Sequence, residues 1–138
     1  MNKFTIFDCH ILHLPKIHSR SGNITPVNNL TNIPFAVKRV YYLYDIPSGS
    51  NRGAHGHKEL ESLIVAISGS FDITIDDGVC KKTIQLNRPD IGFNLKPGIW
   101  RDISNFSSSA ICFVLASQVY DEKDYIREYA DFLSFKAL

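Results

Sequence analysis

The chain lacks most features that would place it quickly. Its three cysteines, Cys9, Cys80 and Cys112, are odd in number and widely spaced, which argues against a disulfide framework or a zinc knuckle. Cys112, inside an apolar run, is expected to be a buried thiol. No apolar segment approaches the ~20 residues of a membrane span. The N-terminus shows no apolar stretch followed by a small-residue cleavage site, so the expected location is the cytoplasm. Charge of one sign is also missing: 15 basic and 14 acidic residues give a net +1 and are mixed along the chain. That leaves no electrostatic footprint for nucleic acid or an anionic membrane. A small anionic ligand needs only a few local cations and stays open. There is no internal repeat, low-complexity tract or linker.

What is present is ordinary for a globular protein. The 138 residues are 44% hydrophobic and 21% charged, enough for one domain, 1–138, with a core. Residues 3–14 read as one or two strands, with His10 and His13 on opposite faces and no shared role. Residues 15–23 read as a loop and 24–27 as a short strand. Residues 35–44 are rich in β-branched and aromatic side chains and form the clearest strand. The face carrying Phe35, Val37, Arg39, Tyr41 and Leu43 is expected to point inward. Arg39 there needs a carboxylate or a phosphate as partner. Strands follow at 61–68, 71–76, 79–86, 91–95 and 110–117, with Asp77-Gly78 a hairpin turn. Residues 121–135 carry Tyr125, Tyr129, Phe132 and Phe135 near helical spacing behind an acidic first turn, and predict a C-terminal helix. Many short strands with one helix predict an all-β chain, a β-sandwich or barrel of jelly-roll type.

The chemistry concentrates in residues 52–61. On one continuous strand His55, His57 and Glu61 share a face, which Leu63, Val65 and Ile67 extend. Two uses fit. His-x-His plus a carboxylate suits iron, manganese or zinc, and a histidine near neutral pKa suits metal-free proton transfer. Arg52, Gly53 and Gly56 suit close approach of an anion.

Gly49, His55-x-His57, Glu61 and Gly69 resemble the first motif of the cupins, and Gly92 through Pro97-Gly98 the second. Ile33-Pro34-Phe35, Lys38-Arg39-Val40-Tyr41-Tyr42, Arg52-Gly53, Asp76-Asp77-Gly78, Phe106-Ser107-Ser108, Leu115-Ala116-Ser117, Tyr120-Asp121-Glu122 and Asp124-Tyr125-Ile126-Arg127 resemble one branch of them. That branch is the sugar-nucleotide 3,4-ketoisomerases acting on dTDP-4-keto-6-deoxyglucose (WxcM-like). The resemblance implies a small jelly-roll barrel and a cofactor-free isomerase. The keto group moves from carbon 4 to carbon 3 through an enediol. It also implies a homodimer, with N-terminal strands exchanged between subunits, and a product bound for deoxyamino sugars of surface polysaccharide.

Carried over residue by residue, the resemblance makes His57 the carbon base and His55 a shuttle for hydroxyl protons. Tyr41 becomes a partner of the sugar, and Arg39 and Arg52 partners of the diphosphate. Glu61 becomes an orienter of a histidine rather than a metal ligand, so no metal is expected. The sequence departs from the family after Trp100, where a histidine is usual and Arg101 stands instead. Arginine neither ligates metal nor acts as a base near neutral pH, but Arg101 can bind an anion or stabilise an enolate. Leu60-Glu61-Ser62 and the stretch around Arg20 also depart from the family pattern. The competing expectations are a non-catalytic sugar-nucleotide-binding cupin and a 3,5-epimerase-like or metal-dependent cupin.

Overall fold

The structure is a computed structural model and describes residues 4–137. It contains twelve strands and one C-terminal α-helix among the described residues. The first sheet joins β1 (His10–His13), β9 (Ile91–Leu95), β6 (Ser62–Ser68), β11 (Ile111–Ala116) and β4 (Arg39–Leu43), in that spatial order. The second joins β12 (Tyr125–Ile126), β5 (Arg52–His57), β10 (Trp100–Ser104), β7 (Phe71–Asp76) and β8 (Lys81–Leu86). All pairings within both sheets are antiparallel. Two facing antiparallel sheets of this size form a small jelly-roll barrel, the cupin fold.

Period-two alternation builds the core. On β7, Phe71, Ile73 and Ile75 are fully buried, while Asp72 and Thr74 between them are half-exposed. They meet Ile64, Phe93, Ile99, Ile103, Cys112 and Val114 in one cluster between the sheets. Cys112 is the buried thiol expected of it. The alternate residues of β6 and β11, namely Leu63, Val65 and Leu115, form a second cluster with Leu14, Ile33 and Phe35 outside the first sheet. Gly92 lies beneath Leu63 without room for a side chain: an added Cβ would stand 2.6 Å from its Cδ1.

Four expectations are corrected. The strand of 61–68 does not continue that of His55 and His57. β5 ends at His57 in the second sheet, and β6 begins at Ser62 in the first. Leu63 and Val65 therefore belong to the outer cluster, and Ile67 is exposed. Residues 15–23 are not a plain loop. They contain an exposed hairpin of β2 (Ile17–Ser19) and β3 (Gly22–Ile24), paired only with itself, which also takes the strand expected at 24–27. The run 3–14 begins outside the described residues at Lys3. Within them it forms a 3-10 turn, Ile6–Asp8, followed by β1, whose His10 and His13 are both exposed. Finally, 121–135 is helical only in its second half. Glu122–Asp124 is a 3-10 turn capped by the Asp121 side chain, Tyr125–Ile126 is β12, and α1 runs over Tyr129–Lys136.

Several contacts hold the helix. Phe132 is fully buried, Trp100 packs edge-on against Tyr129 at 5.4 Å, and the Tyr129 hydroxyl donates to buried Asp76 at 2.6 Å. Gly56 lets Phe132 approach β5, since a Cβ there would stand 3.5 Å from its ring.

Gly69 turns β6 into β7 with φ +67°, and an added Cβ would stand 2.9 Å from the Cα of Ala110. The left-handed backbone costs an L-residue roughly 1–2 kcal/mol, and the overlap adds to it. Gly69→Ala should lower unfolding free energy by about 2–4 kcal/mol in urea titration. A loss below about 0.5 kcal/mol would contradict this packing.

Candidate active site

β5 lies between β12 and β10, and the registers decide which side chains meet. His55 pairs with Arg101 on β10, and His57 pairs with Tyr125 on β12. Directly opposed residues put their side chains on one face, and His55 and His57 share a face by alternation. All four therefore belong to the inner wall of the second sheet. Gly53, at φ +74°, coincides with a register shift that sets Arg52 opposite Ile103. The facing wall comes from β4, whose inner residues Arg39, Tyr41 and Leu43 are half-buried while Val40, Tyr42 and Tyr44 are exposed. This is the orientation expected for Arg39, Tyr41 and Leu43, but the strand begins only at Arg39, and Phe35 and Val37, expected on the same face, pack in the outer cluster instead.

Between the walls is a cavity of about 300 Å³. Arg39, Tyr41, Arg52, His55, Arg101, Tyr125 and Arg127 line it, with Leu43, Ile64, Ile103 and Val114 as apolar surface. Four arginines on one small cavity make an anion site. Arg127 stacks on the Tyr125 ring at 4.2 Å and is held by Glu122 through its Nε (2.6 Å) and an Nη nitrogen (2.8 Å). Arg39 lies over Tyr41 at 4.5 Å and over Tyr120 at 5.2 Å.

Arg101 is the unusual one. It is 3% exposed and has no ion pair with any described carboxylate. Burial pulls its pKa down, yet a guanidinium stays charged. Its field reaches both histidines. Burial first, then Arg101, lowers His55 to about 3, and the same causes in the same order hold His57 well below the ordinary range. Burial raises Tyr41, and Arg101 opposes the rise. Both imidazoles are neutral at pH 7. Their Nε2 atoms and the Nε of Arg101 are buried without a hydrogen-bond partner among the described residues. An unpaired buried polar atom costs about 1–3 kcal/mol, and here three of them gather on one sheet, on two residues that line the cavity and one behind it.

The candidate residues divide. Tyr41, Arg39, Arg52, His55 and Arg101 are brought together. His57 is 2% exposed and does not line the cavity. It stands behind, with its ring 4.9 Å from His55 and 4.3 Å from Tyr125. Its Nε2, like that of His55, is buried without a hydrogen-bond partner among the described residues. Glu61 is elsewhere: its carboxylate accepts from Lys96 Nζ at 3.0 Å and from Asn94 Nδ2 at 2.9 Å. The turn after His57 breaks the shared face, so Glu61 orients no histidine and completes no metal set with them. The carboxylate on His57 is Asp124, whose Oδ2 lies 3.0 Å from Nδ1.

Asp124, Tyr125 and Arg127 were assigned no role by the sequence reasoning. A helical reading of 121–135 hid them. Their signal was the two-residue spacing of Tyr125 and Arg127, which a strand needs and a helix does not.

The WxcM-like C-terminal (FdtA) family model matches residues 7–137. The chain belongs to this family. A curated relative, the TDP-4-oxo-6-deoxy-α-D-glucose-3,4-oxoisomerase of Aneurinibacillus thermoaerophilus, is 39% identical over 127 residues, 92% of this chain and 91% of the relative. Among solved structures, a 3,4-ketoisomerase from Helicobacter canadensis superposes with a TM-score of 0.91 at 43% identity, covering 94% and 97% of the two chains. A variant of the 3,4-ketoisomerase QdtA from Thermoanaerobacterium thermosaccharolyticum, in complex with TDP-4-keto-6-deoxyglucose, superposes at 0.93 with 32% identity and 96% coverage of both chains.

The depressed His55 pKa carries a stability consequence. Unfolded, the imidazole titrates near 6.5, and folded near 3. Between these values the unfolded chain binds more protons, so stability falls as pH drops from about 6.5 toward 3. His55→Asn should flatten the decline of the urea midpoint across this window. An unchanged slope would contradict a neutral His55.

Proposed function

We propose that this WxcM-like chain is a sugar-nucleotide 3,4-ketoisomerase that converts a dTDP-4-keto-6-deoxyhexose to its 3-keto isomer. The carrying observation is the inner wall on which the Nε2 atoms of His55 and His57 and the Nε of Arg101 lie buried and unpartnered among the described residues. The wall borders a cavity rich in arginine and tyrosine. The names of the relatives point to the same reaction.

The carbon 4 ketone acidifies the hydrogen on carbon 3. His55 takes that proton, and the released electron pair forms the double bond between carbons 3 and 4. The carbonyl oxygen becomes an enediolate oxygen, and a buried guanidinium is a strong partner for it. The enediolate oxygen on carbon 4 takes up the proton that the carbon 3 hydroxyl gives up, and an equivalent of the abstracted proton is delivered to carbon 4, leaving the ketone at carbon 3 and a hydroxyl at carbon 4. Atoms balance without oxidant or reductant. His55 is preferred to His57 as carbon base because it lines the cavity while His57 lies behind it. Tyr41 and Tyr125 are within the cavity to bond sugar hydroxyls. Arg39, Arg52 and Arg127 are placed to hold the diphosphate, a match of charge and fork geometry. The product suits an aminotransferase of deoxyamino-sugar synthesis for surface polysaccharide.

The chain acts as one domain over 1–138, as a cytoplasmic homodimer. No described helix is long and apolar enough to cross a membrane. β4 is a sheet edge whose outer face exposes Val40 and Tyr42, with exposed Tyr44 just after it, and unpaired edges invite pairing. The β2–β3 hairpin, with Ile17 and Ile24 exposed, is the segment available for exchange between subunits. Sedimentation should report two chains per particle, and Tyr42→Glu with Tyr44→Glu should shift it toward one. A monomeric wild type would contradict the dimer.

Incubation with TDP-4-keto-6-deoxyglucose in deuterated water tests the reaction. The wild type should yield the 3-keto isomer carrying solvent deuterium, and His55→Asn should reduce the rate at least about 100-fold. Stabilisation by TDP with neither exchange nor product would instead identify a binding-only cupin.

A further inference from the structure

The carboxylate behind the histidines has no part in the proton transfers described above, yet it is one of the most heavily bonded groups in the site. Asp124 is 7% exposed. Its Oδ2 lies 3.0 Å from His57 Nδ1 and accepts the amide of Leu60 at 3.2 Å, while Oδ1 accepts the amide of Glu59 at 2.8 Å. Its own carbonyl accepts the Lys58 amide at 2.9 Å. The turn joining the two sheets is thus fastened to the residue just before Tyr125.

An ionised carboxylate only accepts hydrogen bonds. A neutral imidazole facing it must therefore carry its proton on Nδ1, which leaves Nε2 as a bare acceptor. The opposite tautomer would set a lone pair against the carboxylate and place a second donor beside the Arg101 guanidinium. The ring would lose its seat, and it is packed against His55 and Tyr125, which both line the cavity.

We propose that Asp124 is a positioning residue of the active site: acting through His57, it fixes the Nδ1–H tautomer and seats the wall that carries His55 and Tyr125. The inference rests on the ketoisomerase reading for its kinetic consequence but not for its structural one. Asp124 acts on the geometry of the reacting groups rather than on substrate affinity, because the arginines that meet the anion stand on β4, β5 and the segment after β12 rather than on His57.

The test has two arms. In wild-type protein labelled with ¹⁵N at histidine, the ring signals of His57 should report protonated Nδ1 and bare Nε2 across pH 6–8. The Nε2–H tautomer or a doubly protonated ring would overturn the proposal, and this arm needs no activity. In the second arm, Asp124→Asn keeps the shape but offers an amide that can face Nδ1 with a donor. It should move His57 toward the Nε2–H tautomer and lower kcat about 10–100-fold, with KM changed by less than about threefold. Asp124→Glu should restore part of kcat. A variant with unchanged tautomer and kcat, losing only thermal stability, would reduce Asp124 to a fold residue and refute the proposal. A wild type with the expected tautomer but no isomerase activity would sink the functional reading and leave the tautomer assignment standing.

Discussion

The site depends on a buried positive charge with no carboxylate of its own. Arg101 sits inside the barrel opposite His55, in a place where a cation is costly unless it is paired. Tyr41 and Tyr125 stand near it, their oxygens able to offset some of the charge, together with two imidazoles that it helps keep unprotonated. Buried Asp124, whose charge Arg101 feels, is already engaged by His57 and two backbone amides. On the ketoisomerase reading, the positive charge of Arg101 would face the enediolate. Fixed charge of this kind needs no reorganisation when the reaction occurs, which is the basis of electrostatic catalysis.

This arrangement explains how a proton-transfer site operates with imidazoles of low basicity. In the unliganded cavity burial first, then Arg101 and Arg127, disfavour a proton on His55. On the ketoisomerase reading, a diphosphate at the mouth would bring negative charge, offset part of that effect and make the imidazole a better base. Binding energy from the nucleotide end is thereby coupled to chemistry at the sugar. The rim pair of Glu122 and Arg127 limits the positive field in the absence of ligand: Arg127 holds the Glu122 carboxyl down to about 2, so it stays ionised and keeps the guanidinium over Tyr125.

Much of the barrel was legible because its strands alternate cleanly. Phe71 to Asp76 falls where period two puts it, and Ile91 to Leu95 where the turns on either side bound it. The inward face of Arg39, Tyr41 and Leu43 was readable for the same reason. Of the site, His55, Arg39, Tyr41, Arg52 and Arg101 could be named from types and spacing together with the family resemblance. Glu61 could not be placed, since its spacing from His57 matches a strand that the chain ends four residues earlier to cross between sheets. Asp124, Tyr125 and Arg127 were hidden by aromatic spacing that suits a helix as well as a 3-10 turn, a short strand and a shorter helix in succession. The order of the two histidines depends on depth in the wall, and a one-dimensional pattern carries no depth.

The central claim is that a neutral imidazole in a cationic wall becomes a competent base when an anion fills the cavity. The most direct measurement is an NMR titration of the His55 ring, without ligand and with saturating TDP. The account predicts an apparent pKa near 3 in the free protein and a clear rise once TDP is bound. An ordinary value near 6.5 in the free protein, or no change on binding TDP, would contradict it.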